Sequence, residues 1–383
     1  MQLRDLSRQY QALRPALEEA ILKVASGGSY IMGDVVEELE QRLAQYVGVK
    51  HCISCGNGTD ALRLALMAWG VGEGDAVFVP DFTFFATAEA VALQGATPVF
   101  VDVREDTFNM DARDLQQKIL QLERAGVLHP KAIVAVDLFG QPAAFPALRS
   151  IARQYDMLLL EDSAQGFGGS IKEIGRACSF GDIAITSFFP AKPLGCFGDG
   201  GALFTDNDGW AALLRSLRVH GKGSDKYHNM RLGLNSRLDA IQAAVLLVKL
   251  KALTDYELAA VNDVAKQYDS ALAEIVMCPA VPEGYLSSWA QYTIRLRTSY
   301  QRDIVQQHLK AHGIPSAIYY PVPMHRQPVF ANDNLLRRSD VTMQEGCPVT
   351  SQLCGTVLSI PMHPYLTSEE ISLVCETIHA TLS

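Results

Sequence analysis

The sequence predicts an α/β protein: a large domain over residues 1–245 with a mainly parallel sheet between helices, and a smaller C-terminal α/β domain over residues 246–383. Three observations carry this expectation. Apolar strand-like runs alternate with helical spacing from His51 to Leu160, the rhythm of a parallel sheet covered on both faces. Polar clusters follow several of those runs, at Asp81-Phe82-Thr83-Phe84, at Glu161-Asp162-Ser163-Ala164-Gln165 and from Ser187 to Lys192. Ligands gather beyond the carboxyl ends of strands in such sheets. At 383 residues the chain also exceeds one simple core, taking about 150 residues per domain.

In chain order, Leu6 to Val24 has helical spacing and Gly27-Gly28 ends it, leaving a loop from Ser29 to Gly33. Asp34 to Val47 reads as a second helix with Val35, Leu39 and Leu43 on one face, and His51 to Ser54 as a short strand. Gly56-Asn57-Gly58-Thr59-Asp60 then leads into an apolar helix, Ala61 to Trp69. Strands are expected at Ala76–Val79, Pro98–Val101, Ala132–Val136 and Met157–Leu160, with helices at Phe84–Leu93 and Phe145–Gln154. The strand ending at Ser187, a turn, and a strand from Ala202 to Thr205 follow; Asp208 to Arg218 is helical. His220 to Leu232 is polar and irregular, and a long helix runs from Ala240 to about Val264. Beyond it lie a strand at Gln291–Leu296, a helix at Gln301–His312, a strand-like stretch at Ser316–Tyr320, a proline-rich turn, a strand at Thr356–Ile360 and a helix at Ser368–Leu382.

Composition narrows the partners. The chain is 48% hydrophobic and 20% charged with net charge −9, which gives no electrostatic reason to expect nucleic acid or an anionic membrane surface. No apolar run reaches the roughly 18 residues of a membrane span, and charges between Met1 and Arg14 stand where a secretory segment is apolar, so the expected location is cytoplasmic. Cys52-Ile53-Ser54-Cys55 matches C-x-x-C, but no second such pair or paired histidine completes a metal site. The eight scattered cysteines read as buried thiols.

Two stretches suggest chemistry. Pro190-Ala191-Lys192-Pro193 holds one cation between two prolines, ahead of Gly195, Gly198, Gly200 and Gly201. A lysine in weakly polar surroundings loses part of its preference for the charged state and becomes a nucleophile toward a carbonyl; the alternative is a solvent-facing loop lysine. Gly58 and Thr59 stand at a strand-to-helix turn, where unpaired N–H groups and a hydroxyl suit a phosphate. Short G-x-G loops are common, and from these residues alone a plain capped turn is the favoured reading. Together, a loop lysine, Asp162 at a strand end, the phosphate-type turn and Ser187 match what pyridoxal 5′-phosphate requires: an amine, an anion for its ring nitrogen and donors for its phosphate.

Over nearly its whole length the chain resembles the sugar aminotransferases of the DegT/DnrJ/EryC1/StrS group, within the fold-type-I pyridoxal-phosphate enzymes. The matching stretches include Gly28-Ser29-Tyr30-Ile31-Met32-Gly33, Gly56 to Leu62, Ser187-Phe188-Phe189-Pro190-Ala191-Lys192, Gly198-Asp199-Gly200-Gly201-Ala202 and Pro361-Met362-His363-Pro364. The resemblance implies Lys192 as the cofactor-linking lysine and Asp162 as the partner of the ring nitrogen. It implies Gln165 beside the ring, Phe84 stacked on it, and Gly58, Thr59 and Ser187 at the phosphate, with Asn235 supplied by the second subunit of a homodimer. Tyr30, Arg237, Tyr319 and Tyr320 are the implied nucleotide or sugar contacts. The implied reaction moves an amino group from glutamate to a nucleotide-linked keto-sugar. The nearest branch acts on UDP-2-acetamido-2-deoxy-3-oxo-glucuronate, for bacterial surface polysaccharide such as the O-antigen of lipopolysaccharide. A dTDP-linked keto-6-deoxysugar substrate and a non-catalytic regulator on the same fold are the alternatives.

Overall fold

Runs such as Ala76-Val77-Phe78-Val79 and Ile183-Ala184-Ile185-Thr186 are apolar at nearly every position, the pattern of strands buried on both faces of a parallel sheet. The computed structural model describes residues 1–225, 227–331 and 346–382 and builds these runs into such a sheet. In chain order the strands are β1 (His51–Cys55), β2 (Asp75–Pro80), β3 (Thr97–Val101), β4 (His129–Val136), β5 (Leu158–Asp162), β6 (Ser170–Ile171), β7 (Gly175–Arg176), β8 (Ile183–Ser187), β9 (Gly201–Thr205), β10 (Tyr285–Leu286), β11 (Tyr292–Arg295) and β12 (Val357–Ile360). Seven of them form the main sheet in the order β1-β9-β8-β5-β4-β2-β3. All run parallel except β9, which pairs antiparallel with both β1 and β8. The carboxyl ends of β1, β2, β4, β5 and β8 therefore share one edge of the sheet, and β9 begins there.

Alternation within the strands sends side chains to two cores. Val77 and Val79 pack with the helices Gly58–Ala68, Phe85–Leu93 and Asp208–Leu217 on one face. Ala76 and Phe78 meet the helices Ala112–Ala125 and Phe145–Gln154 on the other. Full burial of each such Val or Phe side chain stabilises the fold by about 1.5–3 kcal/mol. Alternation also separates Cys52 from Cys55: they lie in the cores on opposite faces of β1, both as free thiols, in keeping with packing.

Three features depart from the sequence expectation. The helix Ala112–Ala125, absent from the reading above, shows only a narrow stripe of Leu115, Ile119 and Leu122 among charged and amide residues, and is started by the Asp111 cap. The long helix continues beyond Val264 to Leu272, through a wider π turn at Leu253–Glu257. That turn brings buried Glu257 to Gln9 Nε2 and the Tyr365 hydroxyl, 2.9 and 2.6 Å away. Ser316–Tyr320 is not a strand; Ala317 alone pairs, with Ser359, because the chain runs at once into Pro321 and Pro323, which lack N–H donors.

Strands β11 and β12 pair antiparallel and pack with the helices Leu258–Leu272, Ser299–Ala311 and Ser368–Leu382 around Tyr268, Tyr292, Ile294 and Leu358. The N-terminal segment binds this unit through Met362 N–H to the Leu3 carbonyl and a two-pronged Arg8–Glu370 contact at 2.6 and 2.8 Å. Among the described residues, no helix is long and apolar enough to cross a membrane.

Candidate active site

The shared strand edge opens on a cavity of about 480 Å³ lined by residues from each strand end, including Gly58, Thr59, Phe84, Asp162, Gln165, Ser187, Lys192, Tyr319 and Tyr320. Nine of the twelve residues singled out from the sequence thus meet in one place.

Lys192 sits on the turn after β8, its N–H bonded to the Phe189 carbonyl at 2.8 Å. Burial pushes its ammonium down to about 8; Arg4 adds repulsion, and the attraction of Asp162 opposes both. Arg4 also donates to the Pro193 carbonyl at 3.3 Å, so the N-terminal segment supports the lysine turn from behind. An amine at this value has a substantial neutral fraction near neutral pH and can attack a carbonyl.

Asp162 ends β5 with 4% of its surface exposed. Its carboxyl accepts from the Thr87 hydroxyl at 2.8 Å and the Ala164 N–H at 3.2 Å. Burial raises its pKa, against these two donors and Lys192. A buried carboxylate with spare acceptor capacity favours a protonated ring nitrogen as partner. Strand alternation turns its neighbour Glu161 away, to the backbone N–H groups of Cys178 and Phe180 at 2.5 and 2.7 Å.

Around this pair, Asn57 caps the helix Gly58–Ala68 by accepting the Asp60 N–H at 2.7 Å. The first turn of that helix, Gly58 and Thr59, lines the cavity, and a helix start leaves N–H groups without intrahelical partners. Gly58 is required for space: a Cβ there would lie 2.8 Å from the Ser187 Cβ. Gly201 is equally constrained, since a Cβ would fall 2.6 Å from the Asn57 carbonyl group. Phe84 exposes 56% of its surface at the cavity, and its ring centroid lies 6.2 Å from that of Tyr320. The Gln165 carboxamide accepts the Phe139 N–H at 2.6 Å and donates to the Tyr320 hydroxyl at 3.2 Å. Cys196 is buried with its thiol pushed up to about 11, as packing requires.

Tyr30, Asn235 and Arg237 do not line the cavity. Tyr30 lies where Ile31 pairs with Asp239 and the Tyr30 carbonyl accepts the Ala240 N–H at 2.8 Å, whereas Asn235 pairs with Val219. Sequence reasoning missed Thr87; its signal is the Thr83, Thr87 spacing at a helix start, which brings the hydroxyls within 3.2 Å. Arg4 carries no comparable signal.

The residues fit pyridoxal 5′-phosphate: an amine that burial biases toward neutrality, an underpartnered buried carboxyl, an aromatic face, and a helix N-terminus that glycine keeps open. The family model for the DegT/DnrJ/EryC1/StrS aminotransferases matches residues 12–379. The chain is similar to the UDP-2-acetamido-2-deoxy-3-oxo-D-glucuronate aminotransferase of Pseudomonas aeruginosa, 43% identical over 375 residues that cover 98% of each chain. It is 40% identical to the UDP-N-acetyl-3-dehydro-alpha-D-glucosamine 3-aminotransferase of Acidithiobacillus ferrooxidans, covering 99% of this chain and 97% of the other. The crystal structure of a DegT DnrJ EryC1 StrS aminotransferase from Brucella abortus matches with a TM-score of 0.95 at 45% identity, over 100% of both chains. NtdA from Bacillus subtilis, solved with bound cofactor PMP, matches with a TM-score of 0.85 at 27% identity, over 97% of this chain and 82% of the other.

Proposed function

We propose, from the premise that the chain belongs to the DegT/DnrJ/EryC1/StrS aminotransferase family, that it transfers an amino group from glutamate to a UDP-linked 3-keto sugar acid, UDP-2-acetamido-2-deoxy-3-oxo-glucuronate. The single observation that carries the chemistry is Lys192 and Asp162 converging on one cavity at the carboxyl edge of the sheet. The choice of sugar is supported by the two UDP-sugar aminotransferases at 43% and 40% identity.

Pyridoxal 5′-phosphate, when bound, supplies an electron-withdrawing ring that spreads the charge left when a carbon loses its proton. The protein supplies the rest. Lys192 Nζ would be the amine that holds the cofactor, and it would move a proton as the general base. Its depressed pKa keeps part of it neutral at working pH, as a base must be. Asp162, fixed by Thr87 and the Ala164 N–H, would hold the proton at the ring nitrogen. Gly58, Thr59 and Ser187 would hold the phosphate, and Phe84 with Gln165 would border the ring. Amino donor and keto-sugar use the site in turn, which gives ping-pong kinetics.

The working unit of this reading is a homodimer. Tyr30 and Asn235 are exposed and Arg237 is half-buried, and the stretches of chain next to them expose the apolar Ile31, Met230 and Leu232. A second copy would cover these and receive Asn235 at its phosphate site. The setting that fits the product is the cytoplasmic supply of amino-uronic sugars for surface polysaccharide. Purified protein incubated with glutamate and each keto-sugar nucleotide tests the assignment: amination of the UDP-linked sugar acid is expected, and amination of dTDP substrates alone would refute it.

A further inference from the structure

The cavity wall that carries Tyr319 and Tyr320 has no regular structure of its own and hangs between two anchors. Upstream, Ala317 and Ser359 exchange backbone hydrogen bonds of 3.0 and 2.8 Å. Downstream, Asp81 takes three groups: its carbonyl accepts the Met324 N–H at 3.0 Å, Oδ1 accepts the His325 N–H at 2.8 Å, and Oδ2 pairs with His325 Nδ1 at 2.7 Å. Between the anchors lie Ile318 to Pro323, stiffened by Pro321 and Pro323. Asp81 is fully buried and directly precedes the Phe82-Thr83-Phe84 wall, where its own N–H donates to the Val101 carbonyl at 2.8 Å.

We propose that Asp81 and His325 are positioning residues for the sugar substrate: together they set the Tyr319-Tyr320 wall opposite Phe84. The proposal rests on the sugar-aminotransferase reading of the site. A carboxylate without solvent needs fixed donors, and among the described residues the donors to the Asp81 carboxyl both come from His325, one its backbone N–H and one its imidazole Nδ1. The two walls cannot part at this point without stranding a buried charge. The consequence is visible in the cavity, where the Tyr320 ring stands 6.1 Å from Phe82 and 6.2 Å from Phe84. Among the described residues, the other ionisable groups around the pair include the Cys347 thiol, within 4.8 Å of both, Lys118, 3.8 Å from that thiol, the Cys354 thiol, whose pKa burial raises, and Arg326, next to His325 in the chain. Asp102 and Asp114 lie farther out and point to other donors, the Thr350 and Asp102 N–H groups respectively. Burial raises the pKa of Cys347, so the thiol stays neutral and leaves His325 to Asp81.

The test uses holoenzyme and separates the two half-reactions. His325→Leu removes the Nδ1 donor at similar volume, whereas His325→Asn places an amide N–H close to where Nδ1 stood. For His325→Leu we expect the KM for the keto-sugar nucleotide to rise about tenfold with kcat within about twofold of wild type. The glutamate half-reaction, followed by loss of visible absorbance, should keep its wild-type rate, and His325→Asn should bring the sugar KM back to within about threefold. An unchanged sugar KM in His325→Leu, or equal losses in both half-reactions, overturns the proposal. His325→Ser carries the same measurement if the leucine variant does not fold. A wild-type protein that aminates no sugar nucleotide would overturn the functional reading itself, and this proposal with it.

Discussion

The depressed pKa of Lys192 makes a quantitative prediction about how the protein takes up its cofactor. At about pH 7.5, an amine titrating near 8 is about one-quarter neutral, whereas one at the ordinary value of 10.5 is about 0.1% neutral, a ratio of about 200 in nucleophile available. The sign is fixed by the cause: burial disfavours the ammonium, so the neutral form grows with pH and is nearly complete before an exposed lysine begins to titrate. Apoprotein mixed with excess pyridoxal phosphate at a series of pH values, with visible absorbance followed in time, should show a capture rate that rises and levels off with a midpoint near 8. Lys192→Ala should show no such absorbance and no turnover. A rate that climbs unchecked through pH 8 toward 10.5, or an absorbance that survives Lys192→Ala, would refute the assignment of this amine.

Three further outcomes follow from the geometry. Gly58→Ala puts a Cβ 2.8 Å from the Ser187 Cβ at the proposed phosphate turn; overpacking of this kind costs about 1–3 kcal/mol, and retention of cofactor on dialysis should fall by at least about tenfold. Asp162→Asn keeps the Thr87 contact but loses the charge that holds a ring proton, so kcat should drop by about 10²–10⁴ while the protein still folds; a kcat within a few-fold of wild type counts against its role. The Arg8–Glu370 pair holds the Glu370 carboxyl down at about 2, chiefly by its hydrogen bond to Arg8. Because the folded pKa is depressed, this contribution is present above about 4.5 and is lost as pH falls toward 2. Arg8→Met should therefore lower thermal stability by about 1 kcal/mol at neutral pH, the figure discounted for partial exposure, with the gap to wild type closing near pH 2.

Much of the site was legible in the chain because its parts are local. Lys192 is marked by its flanking prolines and glycines, and the proposed phosphate turn by a strand running into Gly56-Asn57-Gly58-Thr59. Asp162 is marked by its place at the end of an apolar run. Each is set by a few consecutive residues, so periodicity and turn chemistry reveal them. The helix Ala112–Ala125 escaped notice because its apolar stripe is too narrow to stand out before the sheet supplies something to pack against.

Sequence alone determined the order of strands and helices and the residue types offered at the strand ends. What those residues do was decided by packing. Thr87 meets Asp162 across 75 residues, Arg4 reaches the Pro193 carbonyl across 189, and His325 reaches Asp81 across 244. Strand alternation sends Asp162 into the cavity and Glu161 to the Cys178 and Phe180 N–H groups, although the two are neighbours in the chain. Backbone preference acts over a few residues, whereas the depressed lysine and the underpartnered carboxyl are products of desolvation, which exists only once distant segments have closed around them.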